Sequence, residues 1–421
     1  MPKEITLSPD VLQKIEKIKE VDIVIGIPSY NNARTIGQLI RAVDDGLSKY
    51  FSSSRALIVN SDAGSHDDTV SVACAGVETD PRFLALAHSL HPVYKIVTPY
   101  HGVPGKGSAF RTIFQVAELL CAKACAVVDA SLTSVTPEWI ERLVKPVLVE
   151  GFDYVSPVYL RHKYDGTVTN SIVYPLTRAL YGKRLRQPTA GDCGCSGKLA
   201  SFYLAEELWH ASAARYGIEV WMATAAVANG FKVCQAFLGA KTHDSTALVR
   251  DLSTMLTQVA GTVFHLMERH QSVWQAVNGS EPVPIFGLPF EVGLEPVDVR
   301  VERLLSAYRQ GVRDLSEIWK HFLSPAVLER LQRLSKANVP EFRFQDALWA
   351  KVVYEFAAAC YARQMDRDHL LKSLTPLYLG RTASFVLETQ QSTAADVENR
   401  LELLCLEYEN LKPYLMEKWR G

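Results

Sequence analysis

Between Val21 and Asp129, short runs of apolar, β-branched residues alternate with stretches whose apolar positions return every three or four residues. VDIVIGIPSY (21–30) has no polar face, so it reads as a strand buried on both sides and opening into a loop. NNARTIGQLIRAVDDGLSKYF follows, with Ile36, Leu39, Ile40, Val43 and Leu47 on one helical face. ALIVNSD is predicted as the second strand, and GSHDDTVSVACAG opens another helix. KIVTPYHG and ACAVVDA are predicted as the third and fourth strands, with KGSAFRTIFQVAELLCAKA between them at helical period. Four strand–helix alternations predict an α/β fold with a mostly parallel, Rossmann-like sheet and crossover helices. Ligands of such sheets gather at the C-terminal strand ends. Here those ends, PSYNN, NSDAGS, PYHGVPGKGS and DASLTS, are all polar.

Beyond about Asp244 longer helical periods take over, interrupted by a Pro-rich joint at 279–299. The boundaries expected are an N-terminal helical segment at 1–20, the α/β domain at 21–245 and an all-helical C-terminal domain at 246–421. Trp319, Trp349 and Tyr354 fit a helical core better than a ligand cage. MPKEITLSPDVLQKIEKIKE is charged rather than apolar, unlike a secretory signal, and no uncharged apolar stretch reaches the length of a transmembrane segment. The expected location is cytoplasmic.

Composition adds exclusions. A net charge of -1 over 421 residues gives no global field for nucleic acid, although Arg178, Lys183, Arg184 and Arg186 form a local cluster suited to a phosphate. Cys193 and Cys195 have CxC spacing with no second pair, so the eight cysteines read as reduced, mostly buried thiols rather than a zinc site.

The polar strand ends carry the candidate chemistry. Asp62, in DAGSHDDT, is suited to accept the N–H of a uracil or guanine ring; Gly64 permits a tight turn, and Ser65 or Asp67 reads as a helix cap. Lys106, in PGKGSAFRT, lies between two glycines ahead of a helix; alone the motif reads as a solvated lysine in a turn, but beside three other polar strand ends it reads as backbone N–H groups and an ammonium brought to an anion. The phosphate-loop pattern GxxxxGK[ST] is absent. Asp129 ends the fourth strand. His243, in GAKTHDST, is either a metal or pyrophosphate contact or a structural histidine. Glu219, in ARYGIEVWMAT, is either a first-turn acid facing the helix dipole or an acceptor for sugar hydroxyls.

Taken together, PSYNN, DAGSHDDT, GKGSA, VVDAS and the later histidine resemble the nucleotide-sugar glycosyltransferases of the GT-A fold, in the family-2-like group. The similar motifs there are P-x-x-N-E, D-x-G-S-x-D-x-T and Asp-x-Asp. Within that group the chain resembles the retaining mannosylglycerate synthase and glucosyl-3-phosphoglycerate synthase families. GKGSA is similar to their GKGD, GTVTNSIVYPLTRALYG (166–182) to their G-x-V-T acceptor segment, YGIEV to their YG-[IV]-[ED], and THDS carries their histidine. FRFQDALWA and LYLGRTASF are similar to the C-terminal part of mannosylglycerate synthase, so the resemblance covers nearly the whole chain.

The resemblance implies that Pro28, Tyr30, Asp62, Lys106 and Asp129 bind the nucleotide, with Lys106 on the diphosphate. It implies that Lys106, Asp129 and Glu219 form the catalytic set, that Asp129 and His243 hold a divalent cation (Mn or Mg), and that Gly166, Thr167 and Thr169 meet the acceptor. The implied partners are a nucleotide-sugar donor and a small-molecule acceptor such as glycerate or phosphoglycerate, with glucose or mannose transferred under retention. Such enzymes work by orientation and charge stabilisation, without a protein nucleophile.

Four departures from the pattern stand out. Ser131 replaces the second aspartate of the metal pair, Thr167 stands where the phosphoglycerate enzymes have an arginine, and Asn32 stands where an acid is usual. QPTAGDCGCSGKLA replaces the relatives' QPLGGE, setting Lys198 near the place of an acid. An altered acceptor, a weaker metal requirement, or a sugar-nucleotide-binding protein without catalysis, acting in regulation or assembly, would each accommodate them. The helical end is left two roles, a cap on the acceptor side or a homodimer surface.

Overall fold

β1 (Ile23–Ser29) is buried along its whole length, as its unbroken apolar run requires. The computed structural model describes residues 6–75, 82–87, 106–206, 209, 217–242, 252–288 and 299–420. Within it the strands are β1, β2 (Ala56–Asp62), β3 (Phe83–Ala87), β4 (Ala124–Val127), β5 (Tyr154–Leu160), β6 (Cys193–Ser196), β7 (Val233–Ala240) and β8 (Ile285–Phe286). They form one sheet in the order β3-β2-β1-β4-β6-β5-β7-β8. β6 runs antiparallel to both its neighbours, and the other pairs are parallel. The chain is therefore α/β with a mostly parallel sheet, as its pattern predicts.

The register fixes where a ligand fits. Ser29 of β1 lies opposite Asp62 of β2, and Gly26 lies opposite Val127 of β4, so the C-terminal ends of β1, β2 and β4 lie side by side. The chain leaves β1 first for β2 and later for β4 on its other side. That reversal is the switch point at which open α/β sheets form their crevice. Helix Ile36–Tyr50 packs Leu39, Ile40 and Val43 into the same core as Ile140 and Leu143 of helix Pro137–Leu148. Each buried Leu or Ile contributes about 1.5–3 kcal/mol. Gly26 lets helix Lys106–Leu119 settle on β1, because a Cβ there would stand 2.4 Å from Ile113 Cγ2.

KIVTPYHG, the third strand predicted from the sequence, lies outside the described residues. Among the described residues the third strand is FLALA, which lacks the β-branched residues that mark β1 and β2. β5, interrupted by Pro157, and β6, four small residues, give no clear signal either.

Residues 1–160, 187–251 and 283–293 form one compact unit; residues 161–186, 252–282 and 294–421 form a second. The sequence reading placed 161–186 inside the α/β domain, whereas its contacts lie with the helical unit. The long helices there are Leu252–Arg269, Val301–Trp319, Asp346–Tyr361, Thr375–Thr389 and Ala394–Asn410. Trp319, Trp349 and Tyr354 are fully buried among them. The basic cluster expected to suit a phosphate is spent on carboxylates: Arg178 pairs with Glu402 and Glu409, Lys183 with Glu281, and Arg186 with Glu398. All eight cysteines are free, six of them buried. Among the described residues no helix is long and apolar enough to cross a membrane.

Candidate functional site

Three predicted residues meet at the strand ends of the α/β unit. Lys106 is the first residue of helix Lys106–Leu119, and Glu219 is in the first turn of helix Ile218–Ala228, where an acid is favoured by the dipole. Asp129 follows β4 by two residues. Lys106 Nζ lies 2.7 Å from Glu219 Oε1 and 3.5 Å from Asp129 Oδ2. All three side chains are at least 85% buried, with exposures of 9%, 15% and 14% respectively. Gly191 makes the close approach possible, since a Cβ there would stand 2.8 Å from Lys106 Nζ and 3.3 Å from Asp129 Oδ2. Any larger residue there would push the ammonium aside.

Ser131 is fully explained by its neighbour. Its N–H and hydroxyl donate to Asp129 Oδ1 at 3.0 and 2.8 Å. The serine thus orients Asp129 and leaves its own hydroxyl facing the carboxylate.

Asp62 is held by four hydrogen-bond donors. Its Oδ1 accepts from the hydroxyls of Ser29 (3.0 Å) and Ser65 (2.6 Å), and its Oδ2 from the N–H groups of Gly64 (2.9 Å) and Ser65 (2.8 Å). Four donors fill the carboxylate, so the acid folds the β2 loop. That loop is then stapled to the loop after β1. Asn31 N–H donates to Ser65 Oγ, Asn32 N–H to Thr69 Oγ1, and Ala33 N–H to Asp67 Oδ2. Burial raises the Asp67 carboxyl, but the hydrogen bonds from Thr69 and Ala33 bring it below its usual value. Asn32, where an acid is usual, accepts the N–H of Tyr30 at 2.8 Å. Pro28 is inside β1, and the Tyr30 ring stands edge-on to His66 at 6.4 Å.

Sequence reading missed two residues. Asp192, fully buried, accepts Asp129 N–H at 2.8 Å and Lys241 Nζ at 2.7 Å. The signal was present: QPTAGD has the length of QPLGGE, and its own last residue is the acid. Lys198 is therefore not in that place; its ammonium lies 5.2 Å from the centre of the Phe231 ring. Beside Asp192, burial pushes the Cys193 thiol well above its usual range, and Cys195, Asp192 and Glu219 add to the effect. Cys193 is a packing residue, not a thiolate.

Among the described residues no group of three His, Cys, Asp or Glu side chains is placed to hold a metal ion. His243 lies outside the described residues. Lys106, Asp129 and Glu219 together carry one more negative than positive charge, which suits a hard cation. Asp129 alone is far short of a six-oxygen shell, however. The donor set fits a divalent ion only as one shared with oxygens of a bound diphosphate.

Gly166, Thr167 and Thr169 belong to the helical unit. Gly166 has φ 67°, in the left-handed region, and Thr169 opens a π-helical turn, Thr169–Val173. The Thr167 and Tyr378 hydroxyls are hydrogen-bonded.

No family model matches the chain, and no curated protein matches it. Among solved structures it is similar to glucosyl-3-phosphoglycerate synthase from Mycobacterium tuberculosis in complex with Mn2+, UDP and phosphoglyceric acid. The identity is 21%, over 61% of this chain and 82% of that one, with a TM-score of 0.42. Mannosyl-3-phosphoglycerate synthase from Rubrobacter xylanophilus is 21% identical over 64% and 80% of the two chains, with a TM-score of 0.41. A mannosyltransferase from Pyrobaculum calidifontis in complex with GDP-Man and Mn2+ is 13% identical over 93% and 92%, with a TM-score of 0.36. Scores at this level carry no inference about site or substrate, and the fold stands on the chain's own strand order and register.

Proposed function

We propose that the chain is a nucleotide-sugar-dependent hexosyltransferase. It moves glucose or mannose from a nucleoside diphosphate to a small hydroxylated acid such as glycerate or phosphoglycerate, with retention at the sugar. The observation that carries this reading is the buried Lys106–Glu219–Asp129 group beside the switch point. In it Lys106 neutralises the leaving diphosphate, Glu219 is released to accept hydroxyls of the hexose, and Asp129 orients the ribose. The sugar–diphosphate C–O bond breaks, the acceptor oxygen bonds on the same face, and its proton passes to the diphosphate. Pro28 and Tyr30 flank the base, and Asp62 acts through the loop it folds. Asp129 would hold a divalent cation, which when bound would make the nucleotide a better leaving group.

The acceptor side is read in the helical unit. Thr167 is neutral, but Arg161, paired with Asp165 at 3.9 Å, comes close to the adjacent Gly166, where a Cβ would stand 3.4 Å from Arg161 Nη1. The π-turn at Thr169 is a form concentrated at functional sites. An anionic acceptor fits this arrangement. Arg161→Ala is expected to raise the KM for phosphoglycerate by about tenfold or more, the worth of one charge-assisted hydrogen bond. Its KM for the sugar nucleotide should stay the same. An unchanged acceptor KM removes the anion from this loop.

A thermal-shift titration tests the whole reading. UDP- or GDP-hexose at about a hundredfold excess over its Kd should stabilise the protein by about 2.7 kcal/mol. Mn2+ alone should shift it little, and Mn2+ with nucleotide most. No shift with any nucleotide sinks the proposal. A shift without turnover on glycerate or phosphoglycerate selects a binding protein instead, the reading Ser131 raised in the sequence.

A further inference from the structure

Asp192 is a fully buried acid with no place in the steps above. Burying a carboxylate costs several kcal/mol unless each oxygen is satisfied. Here Oδ1 accepts the main-chain N–H of Asp129 at 2.8 Å, and Oδ2 accepts Lys241 Nζ at 2.7 Å and the Tyr159 hydroxyl. The Lys241 side chain is itself 95% buried, and its ammonium also lies 4.6 Å from the centre of the Tyr159 ring.

The placement is specific. Asp192 immediately precedes β6, whose Cys193 lies opposite Val127 of β4, so residue 192 runs beside 128 and 129 past the last strand pair. Tyr159 is near the end of β5, and Lys241 is the first residue after β7. One carboxylate therefore ties the ends of four strands to a single amide, that of Asp129.

We propose that Asp192, held by Lys241 and Tyr159, is a positioning residue that fixes the main chain at Asp129 so that its carboxylate faces Lys106. Its effect on turnover rests on the glycosyl-transfer reading, whereas its effect on the main chain does not. The neighbouring Gly191 gives the same stretch a second role, since it is the glycine that makes room for Lys106.

Three variants of the full chain test this: Tyr159→Phe, Asp192→Ala, and Asp192→Ala combined with Lys241→Met. The double variant removes the acid and its buried partner together, so its thermal midpoint should lie above that of Asp192→Ala alone. Hydrogen exchange at the Asp129 amide, followed without ligand, should nonetheless be about tenfold faster than in the unmodified chain. With UDP- or GDP-hexose the double variant should lose about tenfold in kcat with its donor KM little changed. Tyr159→Phe, which removes only a hydroxyl, should move both readouts in the same direction by a smaller factor, even if the acid variants fail to fold. A merely structural ion pair predicts that the double variant recovers exchange protection and kcat along with its midpoint, and that result overturns the proposal. If the unmodified chain binds no sugar nucleotide, the functional reading fails while the exchange measurement still judges the positioning.

Discussion

Lys106→Met is expected to lower kcat/KM for hexosyl transfer by about 10²- to 10³-fold, the usual consequence of removing one preorganised charge from a developing anion. The affinity for UDP or GDP should fall in the same variant. The reason lies in what surrounds the ammonium. It is the charge between two largely buried carboxylates, 2.7 Å from Glu219 and 3.5 Å from Asp129. Without it a diphosphate meets two acids in a region of low dielectric, where like charges repel far more strongly than in water. Lys106→Arg should not rescue the loss. The planar guanidinium needs more room than an ammonium and a different donor geometry from the one that sets Nζ between Glu219 and Asp129. Calorimetric titration with UDP and GDP, beside initial rates, checks both halves. A variant that binds nucleotide as tightly as the unmodified chain refutes the role given to Lys106.

What the sequence made legible follows a physical line. β1, β2 and β4 carry apolar runs buried on both faces, and their polar ends mark the crevice, so the place of Asp129 is legible from position, whereas Lys106 is singled out only together with the other polar strand ends. Glu219 was visible as an acid in an apolar helix, though its partner was not. β3 escaped because FLALA has no β-branched residue, and β6 because CGCS is short and runs against the parallel pattern. Missing β6 is what hid Asp192: a residue at the start of an unrecognised antiparallel strand cannot be placed beside Asp129. For Asp62, spacing gives its place after β2, and only the geometry shows that Ser29, Gly64 and Ser65 donate to its oxygens. Ser131 changes meaning in the same way, from a missing metal ligand to a donor that holds Asp129 in place.

In the helical unit the largest stability effect is expected at Arg178, where Arg178→Met should cost about 3–5 kcal/mol and lower the thermal midpoint by roughly 6–15 °C. The arginine is fully buried. Its Nε donates to Glu409 Oε1 at 2.7 Å and to Ser280 Oγ at 2.9 Å, and its Nη2 donates to Glu402 Oε1 at 2.7 Å. It joins helix Tyr174–Tyr181 to helix Ala394–Asn410, and its removal leaves Glu409, 14% exposed, as an uncompensated acid. Glu402 is 41% exposed and relaxes into water, which places the cost nearer the lower figure. Lys183→Met is the control, because its partner Glu281 is 67% exposed and water screens the pair, so the midpoint of this variant should stay close to that of the unmodified chain. The pH dependence has a definite sign. The hydrogen bond from Arg178 holds the Glu402 carboxyl below its usual value. Its contribution is therefore complete above the unfolded value of about 4.3 and is lost as pH falls through the lower folded one. The unmodified chain loses that increment on acidification and Arg178→Met has none to lose, so melting curves at pH 7, 4 and 3 should show the gap between them narrowing below about 4.3. A gap that stays constant over that range would mean that Arg178 acts by packing its stem, not by pairing with Glu402.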